Sequence, residues 1–190
     1  NHSAWTIWDA VNAKYQLCPT YPNVLVGPKT VDESLLRQCA YFRSEQRCPA
    51  LTWGCATDGA SLWRCAQPKV GLQGNRSTAD EAMFQHVATQ AAFANQTTSK
   101  PQLPAWLQSN TNLRLEAGCS IKILDLRPRS AALANRTGGY GYENTAYYTG
   151  ATLTFGNIGN IHAVRDAYQK MSALSLSTSS NEAHFGAQLE

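Results

Sequence analysis

Residues 119–171 read CSIKILDLRPRSAALANRTGGYGYENTAYYTGATLTFGNIGNIHAVRDAYQKM. Cys119 to Leu126 is rich in apolar and β-branched side chains, which predicts a largely buried strand. Arg127, Pro128 and Arg129 end it, and Ser130 to Asn135 suits a short helix. A glycine-rich loop, Gly138 to Glu143, leads to a second strand at Ala151 to Phe155. A helix follows from about Asn160, with Ile161, Val164, Tyr168, Met171 and Leu174 at helical spacing. Strand, helix, loop, strand, helix is the pattern of a parallel α/β unit. In such a unit a ligand sits at the carboxyl ends of the strands.

Upstream, Trp5 to Val11 alternates as a half-buried strand does, and Tyr21 to Val26 is a second extended piece pinned by Pro19, Pro22 and Pro28. Thr30-Val-Asp-Glu33 has the form of a capping box and predicts a helix burying Leu35, Leu36 and Cys39. Ala50 to Ala56 and Ser61 to Cys65 flank Asp58-Gly59, a strong hairpin signal that places Trp53 and Trp63 on opposing strands. A second helix begins near Ser77, with Asp80 and Glu81 where the helix dipole favours negative charge. Met83, Phe84, Val87, Ala88 and Ala91 form its apolar stripe. Residues from about 95 to 117 are polar and carry two prolines, so they are expected to be a long loop or insertion.

The chain has 190 residues, 43% of them hydrophobic and 15% charged, enough apolar material for one ordinary domain. A net charge of +3 without a dense Lys/Arg run gives no stripe for nucleic acid and no polybasic membrane tag. The chain starts at Asn1 rather than Met, and nothing marks a stop at Glu190, so it is expected to be a piece of a longer protein. Six cysteines (Cys18, Cys39, Cys48, Cys55, Cys65 and Cys119) and three glycosylation sequons, at Asn75, Asn95 and Asn135, admit a secreted, disulfide-bonded binding module. The cysteines are sparse for a disulfide scaffold, lack Cys-x-x-Cys spacing and have no histidine cluster beside them. Buried reduced thiols are therefore the simpler reading, and no metal site or cofactor is expected.

Hydrolysis of a phosphate ester through cysteine needs a thiolate at a loop and an arginine to fork the phosphate oxygens, in the pattern Cys-x5-Arg. Six positions after the cysteines stand Val24, Glu45, Gly54, Ser61, Gly71 and Asp125, none of them arginine. No residue of this chain is assigned as catalytic. A triad of a serine with His162 and Asp125 is the kind of set any chain this long offers. Gly138 to Glu143 has the composition of a phosphate cradle, although glycine-rich turns are mostly just turns.

Three segments carry a family likeness: ILDLRPRSAALANR (123–136), GGYGYE (138–143) and TFGNIGNIHAVRDAYQKM (154–171). Together they resemble the myotubularin phosphatase domain. FRSEQRCPALTW (42–53), LWRCAQPKVGLQGNRSTADE (62–81) and YQLCPTYPNVLVGPK (15–29) are similar to the same family. The resemblance covers the chain apart from the insertion. It implies an α/β fold, part of a tyrosine-phosphatase-like domain with a mixed sheet flanked by helices and an N-terminal hairpin. It further implies a phosphatase acting on the D3 phosphate of phosphatidylinositol 3-phosphate and the 3,5-bisphosphate, cytoplasmic and peripheral to endosomal membranes. Asn135, Asn160 and Ile161 match family positions that contact the phosphoinositide headgroup. The implied partners are that headgroup, the membrane through the parent protein, and family members in homo- or hetero-oligomers. The family loop usually reads Lys-Gly-Gly-Gly-Tyr-Glu; here Gly138 and Tyr140 replace the lysine and one glycine. The family's Cys-x5-Arg loop lies outside these residues, so a catalytically dead pseudophosphatase that pairs with active relatives is the alternative.

Overall fold

The computed structural model describes residues 5–55, 60–97 and 121–177. Strands β1 (Trp5–Trp8) and β2 (Leu25–Pro28) pair antiparallel, and β3 (Ala50–Gly54) and β4 (Ser61–Arg64) form the hairpin. Helix α1 (Glu33–Phe42) lies between these pairs in sequence, and α2 (Thr78–Thr97) follows them. Then come β5 (Ile121–Asp125), α3 (Arg129–Ala134), a short 3-10 extension (Asn135–Gly138), β6 (Ala151–Phe155) and α4 (Ile161–Ser177). β5 and β6 are parallel and in register from Ile121 opposite Ala151 to Asp125 opposite Phe155, the expected α/β unit. The single mixed sheet does not form among the described residues, which hold three separate two-stranded pairs.

Several local expectations shift. Asp32, not Thr30, caps α1, its carboxylate accepting the Leu35 N–H at 2.8 Å, while Thr30 Oγ1 bonds His86 Nδ1 across to α2. Glu33 turns to Arg37 one helical turn on instead of closing a capping box. Helix α2 continues through Thr97, into the stretch expected to be a loop; the rest of that insertion, Cys119 and the Asp58-Gly59 turn lie outside the described residues. β5 alternates half-buried and exposed residues rather than being largely buried, and Leu124 is 60% exposed. The apolar stripe of α4 faces outward as well, with Ile161 78% and Tyr168 63% exposed. Both departures have one cause: two strands alone offer no covered sheet face on which a strand or helix can bury its apolar side.

The core lies between α1, α2 and the first two strand pairs. Leu36, Cys39 and Ala40 of α1 meet Met83 and Val87 of α2, with Leu17, Tyr21, Leu25 and Val31 around them and Trp8 and Trp63 at the edge. Gly27 of β2 is required by close approach, because a Cβ there would fall 1.8 Å from the Trp8 ring. Buried Asn12 fixes the loop that covers this core, accepting from the Leu17 and Cys18 N–H groups and donating to the Cys18 and Pro22 carbonyls.

Beside the apolar core sits a buried charge cluster. Arg43, just past α1, is fully buried, as is Asp80 in the first turn of α2. The two meet in a bidentate pair, Nε to Oδ1 at 2.7 Å and Nη2 to Oδ2 at 2.5 Å. Arg43 Nη1 donates to Glu143 Oε1 at 2.5 Å and to the Ala66 carbonyl at 2.9 Å. The Tyr148 hydroxyl and the Cys39 thiol donate to the two oxygens of Asp80, at 2.7 and 3.1 Å. Phe84 lies under the guanidinium, 5.0 Å away, with its ring edge-to-face on Tyr148. Burial would lower the pKa of Arg43, but the charges around it, Asp80's first, outweigh that and hold it well above its ordinary value. The guanidinium is thus a permanent cation joining α1, α2, segment 65–68 and the loop that ends at Glu143.

Removing one partner of such a pair strands a charge in the interior. Asp80→Ala is predicted to destabilise the fold by about 3–5 kcal/mol, and Tyr148→Phe by about 1 kcal/mol. Urea unfolding followed by circular dichroism measures both, and a cost below about 1 kcal/mol for Asp80→Ala would contradict the role given to the cluster.

Candidate functional site

The C-terminal edge of the β5–β6 pair is the place where an α/β unit binds a ligand. β5 ends in Asp125, whose carboxylate takes the Arg127 guanidinium at 2.9 and 2.6 Å and the Arg127 N–H at 3.1 Å. Arg127 also donates to the Gly141 carbonyl at 2.9 Å and to Gln67 Oε1. The same Gln67 oxygen accepts from Asn135 Nδ2 at 3.1 Å. After β6 the chain stays locked to β5, with Gly156 N–H donating to the Asp125 carbonyl and Ile158 N–H to the Leu126 carbonyl. Gly156 fits because a Cβ would lie 3.2 Å from the Leu126 Cα.

The three predicted contacts follow these strand ends. Asn135 follows α3 and is half-buried; no described donor reaches its Oδ1. Asn160 caps α4, its Oδ1 accepting the His162 and Ala163 N–H groups at 3.0 and 3.2 Å. That leaves Asn160 Nδ2 and the Ile161 N–H as donors with no acceptor among the described residues. No hydrogen bond joins Asn135, at the end of α3, to the Asn160–Ile161 pair at the start of α4.

Two other sequence candidates do not assemble. Asp125 is committed to Arg127, and His162 has no bond to it, so the triad is absent. The glycine-rich loop is folded inward rather than open as a cradle. The Gly139 and Tyr140 N–H groups donate to the Arg136 and Asn135 carbonyls, and the Tyr140 carbonyl accepts from Gly71. A Cβ at Gly141 would press on Val70 at 3.2 Å, and Glu143 is drawn down to Arg43.

A cleft of about 750 Å³ lies elsewhere, between Leu153 and Phe155 of β6, Arg129 and Arg136 beside it, and Arg76 and Tyr147 opposite. None of Asn135, Asn160 and Ile161 lines it. Its carboxylates are spent, Glu81 on Arg76 and Glu143 on Arg43. The cleft runs along β6, and no cysteine, serine or histidine lines it.

Cys18, Cys39, Cys48 and Cys65 are free thiols, the first three buried. Burial pushes the Cys48 thiol up to about 12 and that of Cys65 up to about 11, although Arg43 partly offsets the latter. Burial and then the charge of Asp80 raise Cys39 well above its ordinary value. A nucleophilic cysteine needs the opposite shift. These thiols are packing groups, in keeping with the missing Cys-x5-Arg pattern.

The model of the family described as "Myotubularin-like phosphatase domain" matches residues 1–190. The chain belongs to this family. It is 34% identical over 170 residues to phosphatidylinositol-3,5-bisphosphate 3-phosphatase MTMR2 of Bos taurus, covering 90% of the chain and 23% of the relative. It is 35% identical over 161 residues to myotubularin of Xenopus laevis, covering 85% of the chain and 23% of the relative. Against phosphatidylinositol-3,5-bisphosphate 3-phosphatase MTMR3 of Caenorhabditis elegans it is 31% identical over 173 residues, 91% of the chain and 15% of the relative. The chain therefore spans about a quarter or less of the length of these curated relatives.

The residues that sequence reasoning missed are Arg43, Gln67, Asp80, Glu143 and Tyr148. Arg43, Gln67, Asp80 and Glu143 lie inside the family-like segments. Asp80 was disguised as an ordinary first-turn acid, and Gln67 has no signature apart from its neighbours in space.

Titration with a thiol reagent is predicted to find six free thiols in the denatured chain. In the folded protein at pH 8, Cys39, Cys48 and Cys65 stay unreactive. Their folded pKa values lie above the ordinary 9.0, so these neutral thiols favour folding below about pH 9. That contribution falls as pH rises toward 11–12, where stability is predicted to drop. Blocked thiols in unreduced, denatured protein would restore the secreted-module reading.

Proposed function

We propose that this chain is part of a phosphoinositide 3-phosphatase domain of tyrosine-phosphatase-like fold, acting on phosphatidylinositol 3-phosphate and the 3,5-bisphosphate. The observation that carries this reading is a family match over residues 1–190 that contain no Cys-x5-Arg loop. In the full-length protein a cysteine thiolate outside these residues attacks the D3 phosphorus, the P–O bond to the ring breaks as inositol O3 leaves and takes a proton, and water then cleaves the P–S bond to give inorganic phosphate and the free cysteine. The chain supplies scaffold and one wall of the headgroup pocket, through Asn135, Asn160 and Ile161.

The geometry supports these roles. Asn160 Nδ2 and the Ile161 N–H stand at the start of a helix 17 residues long, where donors and the helix dipole favour an anionic oxygen. Amides recognise a polyol phosphate without adding a fixed charge. The full-length protein works in the cytoplasm at endosomal membranes, with lipid vesicles as its substrate surface and family members as oligomer partners.

The isolated 190-residue chain is predicted to release no phosphate from phosphatidylinositol 3-phosphate vesicles, whereas the full-length protein does. Phosphate release by the purified chain overturns the division of labour. A full-length protein that binds such vesicles but releases nothing belongs to the pseudophosphatase reading.

A further inference from the structure

Gln67 stands between two groups that constrain its amide completely. Arg127 approaches it with a guanidinium N–H, and arginine has donors only. The side-chain atom facing Arg127 is therefore the Gln67 oxygen. That same oxygen receives the Asn135 amide at 3.1 Å, so the Asn135 atom facing it is the nitrogen. An asparagine in isolation flips its amide freely between the two assignments; here the arginine settles both flips in sequence. Asn135 is left with Oδ1 unclaimed, an atom that only accepts.

The relay is rigidly mounted at each end. Asp125 grips Arg127 with both carboxylate oxygens, and Arg127 ties down the Gly141 carbonyl. The Gln67 backbone carbonyl accepts from the Ser44 N–H at 3.0 Å. Its neighbours are held as firmly, the Ala66 carbonyl by the buried Arg43 at 2.9 Å and Pro68 by a β-bridge to Arg43.

We propose that Gln67 is a positioning residue that makes Asn135 a hydrogen-bond acceptor for a ring hydroxyl of the inositol headgroup, not a donor to its phosphate. This rests on the reading of Asn135 as a headgroup contact and gives that contact a direction. It also divides the labour at the strand ends. Asn160 Nδ2 and the Ile161 N–H offer donors suited to phosphate oxygens, while Asn135 Oδ1 offers an acceptor suited to a hydroxyl hydrogen. A phosphate oxygen brought against Asn135 Oδ1 meets an acceptor and is repelled.

The test uses the full-length protein and soluble 3-phosphorylated inositol headgroups in which each free hydroxyl in turn is replaced by fluorine. Fluorine keeps the size of the hydroxyl and removes its hydrogen. One fluorinated position is expected to raise KM about 3- to 10-fold in the wild type, the value of one hydrogen bond, with kcat changed less. Asn135→Ala and Gln67→Leu should each raise KM for the unmodified headgroup and no longer distinguish it from that fluorinated one. Gln67→Glu keeps an oxygen toward both Arg127 and Asn135 and should retain the discrimination, with a wild-type melting temperature as the control for folding. The proposal is overturned if the wild type tolerates fluorine at every position, if Gln67→Leu discriminates as the wild type does, or if Gln67→Glu loses the discrimination. If Gln67→Leu does not fold, the Gln67→Glu and Asn135→Ala series decide. If Asn135→Ala leaves KM unchanged for every headgroup, the assignment of Asn135 to the pocket fails, and the inference fails with it.

Discussion

A guanidinium sealed from water has to find acceptors inside the protein, and Arg43, at the end of α1, finds them on three other parts of the chain. Asp80 comes from the start of α2, Glu143 from the far end of the glycine-rich loop, Ala66 from the segment after the hairpin, and Arg43 itself extends from α1. Two of these partners are 37 and 100 residues away in sequence. Losing Arg43 would strand two buried carboxylates, and losing Asp80 would take away the guanidinium's bidentate partner, each a far larger penalty than the net value of any single bond. The consequence reaches the candidate site, because the segment bonded by Arg43 is the one that presents Gln67 to Arg127 and Asn135.

The cluster holds two carboxylates against one guanidinium, so the cation alone does not balance it. The excess is met by neutral donors. Tyr148 and Cys39 both aim at Asp80, and their pKa values are raised by burial first and by the charge of Asp80 second, which keeps both protonated. A buried network of this kind is sound only when every member is satisfied, and among the described residues no buried side-chain nitrogen or oxygen lacks a partner. Replacing it with apolar residues of equal volume need not destabilise the domain. What it would remove is direction, since an apolar contact does not specify which oxygen faces which nitrogen, and the Ala66 carbonyl beside Gln67 is held by that specification.

What the sequence made legible was whatever is encoded locally. The hairpin strands, the start and apolar face of α2, both parallel strands and the Asn160 cap follow from turn chemistry, periodicity and capping over a few residues. Local rules failed where a distant partner outbid them. Thr30 has the side chain of a cap for α1, but Asp32 takes the cap and Thr30 bonds His86. Asp80 satisfies the helix-dipole rule and is nonetheless drawn fully inside by an arginine 37 residues earlier. The burial predicted for β5 and for the α4 stripe needs a covering layer, which a periodic pattern announces but does not supply. For the candidate site, family likeness pointed to Asn135, Asn160 and Ile161; the relay through Gln67, 68 residues from Asn135, is visible only in space.

The two parts of the candidate site are held in different ways. Asn135 is fastened to Gln67, whose amide is set by Arg127 and whose neighbour Ala66 is held by Arg43 of the buried cluster. Asn160 and Ile161 depend on the short path after β6, where the Gly156 and Ile158 N–H groups continue the ladder onto Asp125 and Leu126. Asp125 belongs to both arrangements: its carboxylate anchors Arg127 and its carbonyl receives Gly156. Asp125 and the register of the β5–β6 pair are thus common to both arrangements. A slip of one residue in that register would turn every side chain of the strand to the opposite face. The parallel pairing of β5 and β6 thus fixes the register of the two strand ends, while Arg127, acting through Gln67, fixes which atom of Asn135 is offered.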